Sequence, residues 1–385
     1  MIGRTFLGGK NVRFLHTADW HIGKKLHGYD LLNDQKESIN QIIEIAEKEK
    51  VEAIVIAGDL YDRAVPAVEA VELLNQKLIE INLEKKFPLL AISGNHDSAS
   101  RLATGQPWYR LKNFQLHTKM TQAFEPIEFV DTQFFLLPYF EPMDASFYFQ
   151  EEIRTIQQAF EKVIPEIKKQ FDPHKKHVLV THFFITGSLR TESETTIEVG
   201  GLNGLSKELF KDFDYTALGH LHSKNAIRNG KIRYSGSPLK FSLSETNDEK
   251  GVFIVDTLTE TVDFHPLKPI RDVKVLQASF QELLTPNYYQ KLDRTCFWQF
   301  ELKDRAIIPN MMNQLRSLYP FVLGVQRING RNESVKLQEL QKRSGKPEEM
   351  LTSFFEDITG DSLTKSQLKW LQEGIQAAND QEVRD

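Results

Sequence analysis

Short apolar runs alternate with longer amphipathic segments along this chain. Val12–Thr17, Ala53–Ala57, Phe87–Ser93, Phe134–Pro138, Val178–Val180 and Tyr215–Leu218 are brief and rich in β-branched or aromatic residues. They are too short for helices and predict buried strands. Between them, Ile39–Lys48, Val65–Ile81 and Ile153–Phe171 read as helices. Ile39, Ile42, Ile43, Ile45 and Ala46 repeat at helical spacing in the first; Val68, Val71, Leu74, Leu78 and Ile81 do so in the second. The alternation predicts βαβ units and an α/β fold. Ile232–Ser235 and Val252–Asp256 read as an antiparallel pair of strands, with Gly230 and Gly251 at the turns. After about Lys268, Val273–Leu284, Phe297–Lys303 and Val322–Ile328 predict strands and Asn310–Leu318 a helix, a small α+β unit. Gln341–Lys346 reads as a polar linker. Two helices come after it: one opened by Pro347-Glu348-Glu349, with Met350, Leu351, Phe354, Phe355 and Ile358 on one face, and one opened by the Thr364–Gln367 capping box.

The residues just beyond each strand are more informative than the strands themselves. Val12–Thr17 is followed by Ala18-Asp19-Trp20-His21, and Ala53–Ala57 by Gly58-Asp59 with Asp62 close behind. Phe87–Ser93 releases Gly94-Asn95-His96-Asp97, Val178–Val180 releases Thr181-His182, and Tyr215–Leu218 releases Gly219-His220-Leu221-His222. In open α/β sheets, ligands bind at the carboxyl ends of strands. Each of these groups alone also fits an ordinary turn or a structural histidine. Five in succession, each ending a strand, point instead to one constellation. Imidazole and carboxylate with one amide and no thiolate suit zinc, iron, nickel or manganese. Asp59 is the natural bridge between two ions, because a carboxylate has two oxygens to share. Such a pair of ions is the clamp used for phosphoryl displacement.

Composition narrows the setting. At 385 residues the chain is long enough for two or three domains. The net charge of −5 lacks the basic excess of a purely electrostatic nucleic-acid binder, so such contacts need a local patch, bound cations or a partner. No apolar run reaches the ~20 residues that span a bilayer. Met1–Lys10 lacks a secretory core and reads as an extension. Cys296, the single cysteine, excludes an intramolecular disulfide and fits a reducing, cytoplasmic setting, as a small buried hydrophobe.

Asp-x-His, Gly-Asp-x-x-Asp, Gly-Asn-His-Asp, Thr-His and Gly-His-x-His together resemble the signature of calcineurin-like metallophosphoesterases. The longer stretches FLHTADWHIGKKL, AGDLYDRAVP, ISGNHDSASRL and YSGSPLKFS are similar to the SbcD family, the nuclease subunits of bacterial SbcCD complexes. The resemblance is strong from Val12 to Asp256 and loose beyond it. It implies a two-sheet αββα sandwich over residues 12–268, a small α+β capping domain over 269–340, and a linker with C-terminal helices over 341–385, preceded by an extension over 1–11. It implies two Mn2+ ions, one held by Asp19, His21, Asp59 and His222, the other by Asp59, Asn95, His182 and His220. His96 is implied to face the scissile phosphate and assist the leaving oxygen; by chemistry alone it also fits a third ligand. Asp97 either orients that ring or caps the helix beginning at Ser98. Asp62 is structural or supports the ligands. Lys24, Lys25, Arg101, Arg190, Lys224 and Lys240 either line a DNA groove or are solvated charges.

The resemblance further implies DNA as substrate, cut at duplex ends and in single strands or hairpins, during repair and recombination. The partner it implies is an SbcC-type ATPase whose coiled coil is gripped by the C-terminal helices. It also implies a homodimer, formed near Val65–Ile81 and Ser100–Leu111, within a heterotetramer, and no membrane association. Two other readings are open on the sequence: a phosphodiesterase of small diesters or phosphoproteins, and an inactive scaffold tethering the ATPase to DNA. The full set of ligand types, Asp59 included, weighs against the scaffold.

Overall fold

The computed structural model describes residues 12–129, 131–194, 204–227, 230–306, 308–328, 347–359 and 362–382. The extension at 1–11 and the linker at Gln341–Lys346 lie outside the described residues. The chain divides into two compact units, Met1–Asp272 and Val273–Asp385.

In the first unit, Arg13–Thr17, Ala53–Ala57, Leu89–Ile92 and Phe114–His117 pair in parallel in that order. Gly251–Asp256 joins antiparallel to Arg13–Thr17, and Thr261–Pro266 lies beyond it at the edge. A second sheet has the order Ile232–Tyr234, Tyr215–Gly219, Lys176–His182, Thr132–Leu137, Ile127–Glu128, parallel except for the last pair. The strands read near-continuously apolar because both faces are covered. Between the sheets, Phe14, Val55, Ala57 and Leu90 pack with Phe134, Val178, Val180 and Ala217. On the outer face of the first sheet lie Leu32–Lys48 and Val68–Ile79, contributing Ile39, Ile42, Leu73 and Leu74. Ile156–Lys168 covers the second sheet with Phe160, Val163 and Ile167. The expected two-sheet α/β sandwich is the fold of this unit.

Several expectations need correction. Ile232–Tyr234 and Gly251–Asp256 do not pair; they belong to different sheets, the first parallel to Tyr215–Gly219, the second antiparallel to Arg13–Thr17. An apolar run identifies a buried strand but not its neighbour, and the connection between these two crosses from sheet to sheet. Gly251 opens its strand instead of turning, in close approach to His265. The second helix starts at Val68, and both Val65 and Val68 are exposed; Ala70, Leu73 and Leu74 form the buried stripe. Val273–Leu284 is a strand only to Ala278. Ser279 and Glu282 then form a capping box that starts a short helix.

In the second unit, Val273–Ala278, Phe297–Leu302 and Val322–Arg327 form a parallel three-stranded sheet. Cys296, Trp298, Phe300, Leu315 and Tyr319 build its core. Pro347–Thr359 and Lys365–Glu382 are helices, linked by a 2.6 Å hydrogen bond from Gln372 to Glu348. Among the described residues, no helix is long and apolar enough to cross a membrane.

Candidate metal centre

Parallel strands bring their carboxyl ends to one edge. Register places Thr17 beside Ile56, Ala57 beside Ile92, and Gly219 beside His182. The loops leaving these ends are tied to one another, both within the first sheet and across to the second. The Asp19 N–H donates to Gly58 O (3.0 Å) and the His21 N–H to Asp59 O (3.0 Å). The His220 N–H donates to Asp19 Oδ1 (2.9 Å) and the His96 N–H to Asp59 Oδ1 (2.9 Å). His182 Nδ1 donates to Ala57 O at 2.8 Å, leaving its Nε2 turned toward Asp59. The backbone at Asp19, His21, Asp59 and His220 lies at φ of +54°, +44°, +53° and +97°. Positive φ in non-glycine residues is uncommon, and its concentration here marks a strained, functional loop cluster.

The structure brings all seven expected ligands together. His21 Nε2 and His222 Nε2 stand 3.0 Å apart, and Asp59 Oδ2 is 3.5 Å from His21 Nε2. On its other side, Asp59 Oδ2 is 3.3 Å from His182 Nε2. Asn95 Oδ1 lies 3.0 Å from both His182 Nε2 and His220 Nδ1. Asp59 thus stands between one group made with Asp19, His21 and His222 and another made with Asn95, His182 and His220. Ligand-capable atoms of Asp19, His21 and His222 fall within 4.8 Å of one another, as do those of Asp19, Asp59 and His182. Asp19 Oδ2 is buried with no hydrogen-bond partner among the described residues. An orphaned buried carboxylate oxygen and facing imidazole nitrogens are what a cation would satisfy.

Electrostatics point the same way. Burial lowers His21 and His220 to about 3 and pushes His222 well down, so these rings are neutral and present bare lone pairs. Burial also opposes ionisation of Asp59, but His182 and His21 beside it outweigh this and hold its carboxyl far below the usual range. Burial would lower His182, yet Asp59 and Asp19 raise it to about 9. A proton on His182 therefore stands in for positive charge that the carboxylates demand. Burial raises Asp19 well above its ordinary value.

His96 is half-buried at the rim. Its Nδ1 lies 2.8 Å from Asp62 O, and its ring packs edge-on to His21 at 4.7 Å. Its ligand-capable atom also clusters with those of His21 and Asp59. The Asp97 carboxylate accepts from the N–H groups of Leu60 (3.1 Å), Tyr61 (3.0 Å) and Gly94 (3.0 Å). It therefore ties together the loops carrying Asp59 and Asn95, and it does not cap the following helix as expected: that helix spans Ala99–Leu102 and its N-cap is Ser98. Asp62 pairs with Lys24 at 2.8 Å and lies 3.7 Å from His21 Nδ1. Trp20 is buried, its Nε1 donating to Thr17 Oγ1.

The basic candidates separate into two groups. Arg101 and Lys25 are exposed, and Arg190 is exposed with its guanidinium 3.8 Å from the Phe184 ring centroid. Lys240 is partly buried and engaged by Asp272 (2.9 Å) and Thr246 O (2.7 Å), and Lys224 by the exposed Glu249 (2.7 Å). Sequence reasoning missed Ser193, Glu194, Glu245 and Lys250, which crowd behind His222. No local spacing marks them, since they meet His222 only through the fold.

Residues 12–224 match the family model described as calcineurin-like phosphoesterase, and 267–359 that described as type 5 capsule protein repressor C-terminal domain. Over 363 residues the chain is 34% identical to the D subunit of the nuclease SbcCD from Staphylococcus epidermidis, covering 92% of this chain and 96% of that one. The protein of the same name from Staphylococcus saprophyticus is 32% identical over 362 residues, 93% and 96% of the two chains. The chain belongs to the calcineurin-like phosphoesterases, in the branch of the SbcCD D subunits. Divalent metal binding goes with this fold, and the donor set here fits it.

Proposed function

We propose that this chain is the metal-dependent nuclease subunit of an SbcCD-type complex and hydrolyses DNA phosphodiester bonds. The observation that carries this reading is Asp59, whose Oδ2 is shared between two groups of nitrogen and oxygen donors at the carboxyl edge of both sheets. We assign Asp19, His21, Asp59 and His222 to one divalent ion and Asp59, Asn95, His182 and His220 to the other, with manganese as the metal. Such a pair, when bound, polarises the phosphate and makes hydroxide available near neutral pH. His96 sits beside this group with its Nδ1 engaged by Asp62 O, and its Nε2 is assigned to the substrate. Its role is to give a proton to the 3′ oxygen as the phosphorus–oxygen bond breaks. Asp97 holds the Asp59 and Asn95 loops at fixed separation. Exposed Arg101 and Arg190 contribute phosphate contacts; Lys24 and Lys240, held by Asp62 and Asp272, would first have to exchange partners.

Duplex ends, single strands and hairpins are the DNA forms this assignment addresses. The cytoplasmic partner is an SbcC-type ATPase, with the helices from Pro347 to Glu382 gripping its coiled coil. Two copies pair through the surfaces near Val65–Ile81 and Ser100–Leu111.

The test is manganese-dependent cleavage of labelled single-stranded, hairpin and blunt duplex DNA by wild type, His96→Ala and Asp59→Ala, with and without the ATPase. Both variants should lose cleavage, while bound metal is kept in His96→Ala and reduced in Asp59→Ala. Turnover of bis-p-nitrophenyl phosphate with no DNA cleavage, even with the ATPase present, would overturn the reading.

A further inference from the structure

His222 is held from behind by a buried polar chain. Its Nδ1 lies 2.6 Å from Ser193 Oγ, and Ser193 Oγ lies 2.5 Å from Glu245 Oε1. Glu245 is fully buried. The same oxygen accepts from the Phe241 N–H (3.2 Å) and the Ser242 hydroxyl (2.8 Å), and Oε2 accepts from Lys250 Nζ (2.5 Å). Lys250, also buried, donates to His222 O at 2.7 Å and to Ser237 Oγ at 3.1 Å. The segment carrying Ser193 is fastened to the same turn, because the Glu192 N–H donates to Ser244 Oγ (2.9 Å). Glu194 Oε1 accepts the His222 N–H at 2.7 Å.

The proton inventory of this chain has one consistent solution. Glu245, surrounded by donors and paired with a buried ammonium, is an acceptor only. The single Ser193 hydroxyl proton therefore goes to Glu245, and the serine oxygen must accept from His222 Nδ1–H. That leaves His222 Nε2 without a proton, and Nε2 is the nitrogen that faces His21 Nε2 at 3.0 Å. Thr191 Oγ1, 3.0 Å from Ser193 Oγ, donates onward to Glu194 Oε1 (3.2 Å), so its proton does not compete.

We propose that Ser193 and Glu245 are positioning residues that fix the His222 tautomer and ring orientation, so that its Nε2 is always ready to take a cation. The inference rests on the assignment of His222 as a metal ligand. Partners that fix a ligating imidazole in this way commonly change metal affinity by about 10–100-fold. Here a serine hydroxyl is interposed between carboxylate and ring. It also comes from the connection between the neighbouring strands Lys176–His182 and Tyr215–Gly219, linking the seating of that segment to the readiness of the site.

The test compares wild type, Ser193→Ala and Ser193→Thr, with Glu245→Gln as a further variant. In the metal-free protein, ring nitrogen-15 shifts report the His222 tautomer; calorimetric titration with Mn2+ reports affinity, and circular dichroism reports folding. Wild type and Ser193→Thr should hold the Nδ1–H form. Ser193→Ala should shift to a mixture and bind one of two ions about 10–100-fold more weakly with its fold intact. An Nε2–H form in wild type, or wild-type affinity in Ser193→Ala, overturns the relay while leaving the nuclease assignment standing. A wild type that takes up no Mn2+ overturns the metal centre and, with it, the purpose of the relay. Because Ser193→Ala removes only a hydroxyl, misfolding of Glu245→Gln, with its buried Lys250 left unpaired, does not affect this decision.

Discussion

Gly94→Ala is a direct test of how tightly the centre is built. A β-carbon at position 94 would stand 2.1 Å from Asp59 Oδ1, 2.5 Å from Asp59 N and 2.7 Å from Asp59 Cγ. Real β-carbon contacts are essentially never closer than 3.0 Å, so the carboxylate has to retreat by roughly 1 Å. Position 94 is not in the left-handed region, so alanine meets no intrinsic backbone penalty there, and the effect is steric. The Gly94 N–H is also tied to Asp97, which prevents the loop from simply backing away. Overpacking of this kind costs about 1–3 kcal/mol of stability. A displacement of about 1 Å in a positioned catalytic group costs on the order of 100-fold in rate. The variant should therefore stay folded, bind Mn2+ more weakly and lose about two orders of magnitude in DNA cleavage. Gly230→Ala is the control, since a β-carbon there meets nothing within 4 Å. Mn2+ affinity and cleavage within threefold of wild type in Gly94→Ala would refute the argument that Asp59 is held in a single position between the two donor groups.

Other outcomes are expected from the same structure. His96→Asn should lower kcat about 10²–10⁴-fold with little change in bound Mn2+, read by single-turnover cleavage and metal analysis; loss of metal would make His96 a ligand instead. His117 is buried and lowered to about 4 by desolvation. Its unfolded form takes a proton below about 6.5 while the folded form does not, so its contribution to stability is complete above that pH and is lost as pH falls toward 4. Urea unfolding from pH 7 to pH 5, in chelator, should cost wild type about 2 kcal/mol more than His117→Gln; equal losses would count against it. His16, lowered to about 3, acts in the same direction. Gly374, with open space around its α-carbon in the last helix, should gain about 0.5–1 kcal/mol on replacement by alanine, measured by thermal unfolding.

The cluster of donor residues was legible in the sequence because each member lies at or just beyond the end of a strand, and a buried parallel strand has only one end at which chemistry can sit. The partition of strands between sheets was not legible. Ile232–Tyr234 and Gly251–Asp256 carry the same kind of apolar run, and hydrophobicity does not say which neighbour completes the hydrogen bonds. The helix over Val68–Ile79 was legible, but its phase was not fully so, since Val68 fits the repeat and yet faces solvent. Surface charge was least legible. Lys24 and Lys240 look as available as Arg101 in the sequence, and only the fold shows that Asp62 and Asp272 occupy them. The chain behind His222 has no signature because Ser193 and Glu245 are 52 residues apart and meet only through the fold.

The centre is costly to fold. Four of its side chains hang from left-handed backbone positions, each costing about 1–3 kcal/mol. Asp19 carries a buried oxygen with no partner among the described residues, and three histidines are held neutral by burial. Gly58, Gly94 and Gly219 give up side chains so that His182, Asp59 and the Ala57 carbonyl can approach closely; a β-carbon on any of them would fall within 2.4 Å of these neighbours. None of these features stabilises the metal-free chain, and a purely structural role for the cluster leaves all of them unexplained. A divalent cation would offset them together: it would satisfy the orphaned oxygen, take up the bare nitrogens and replace the proton on His182. Binding energy gained there is folding energy. The strain fits a protein whose working state is metal-loaded.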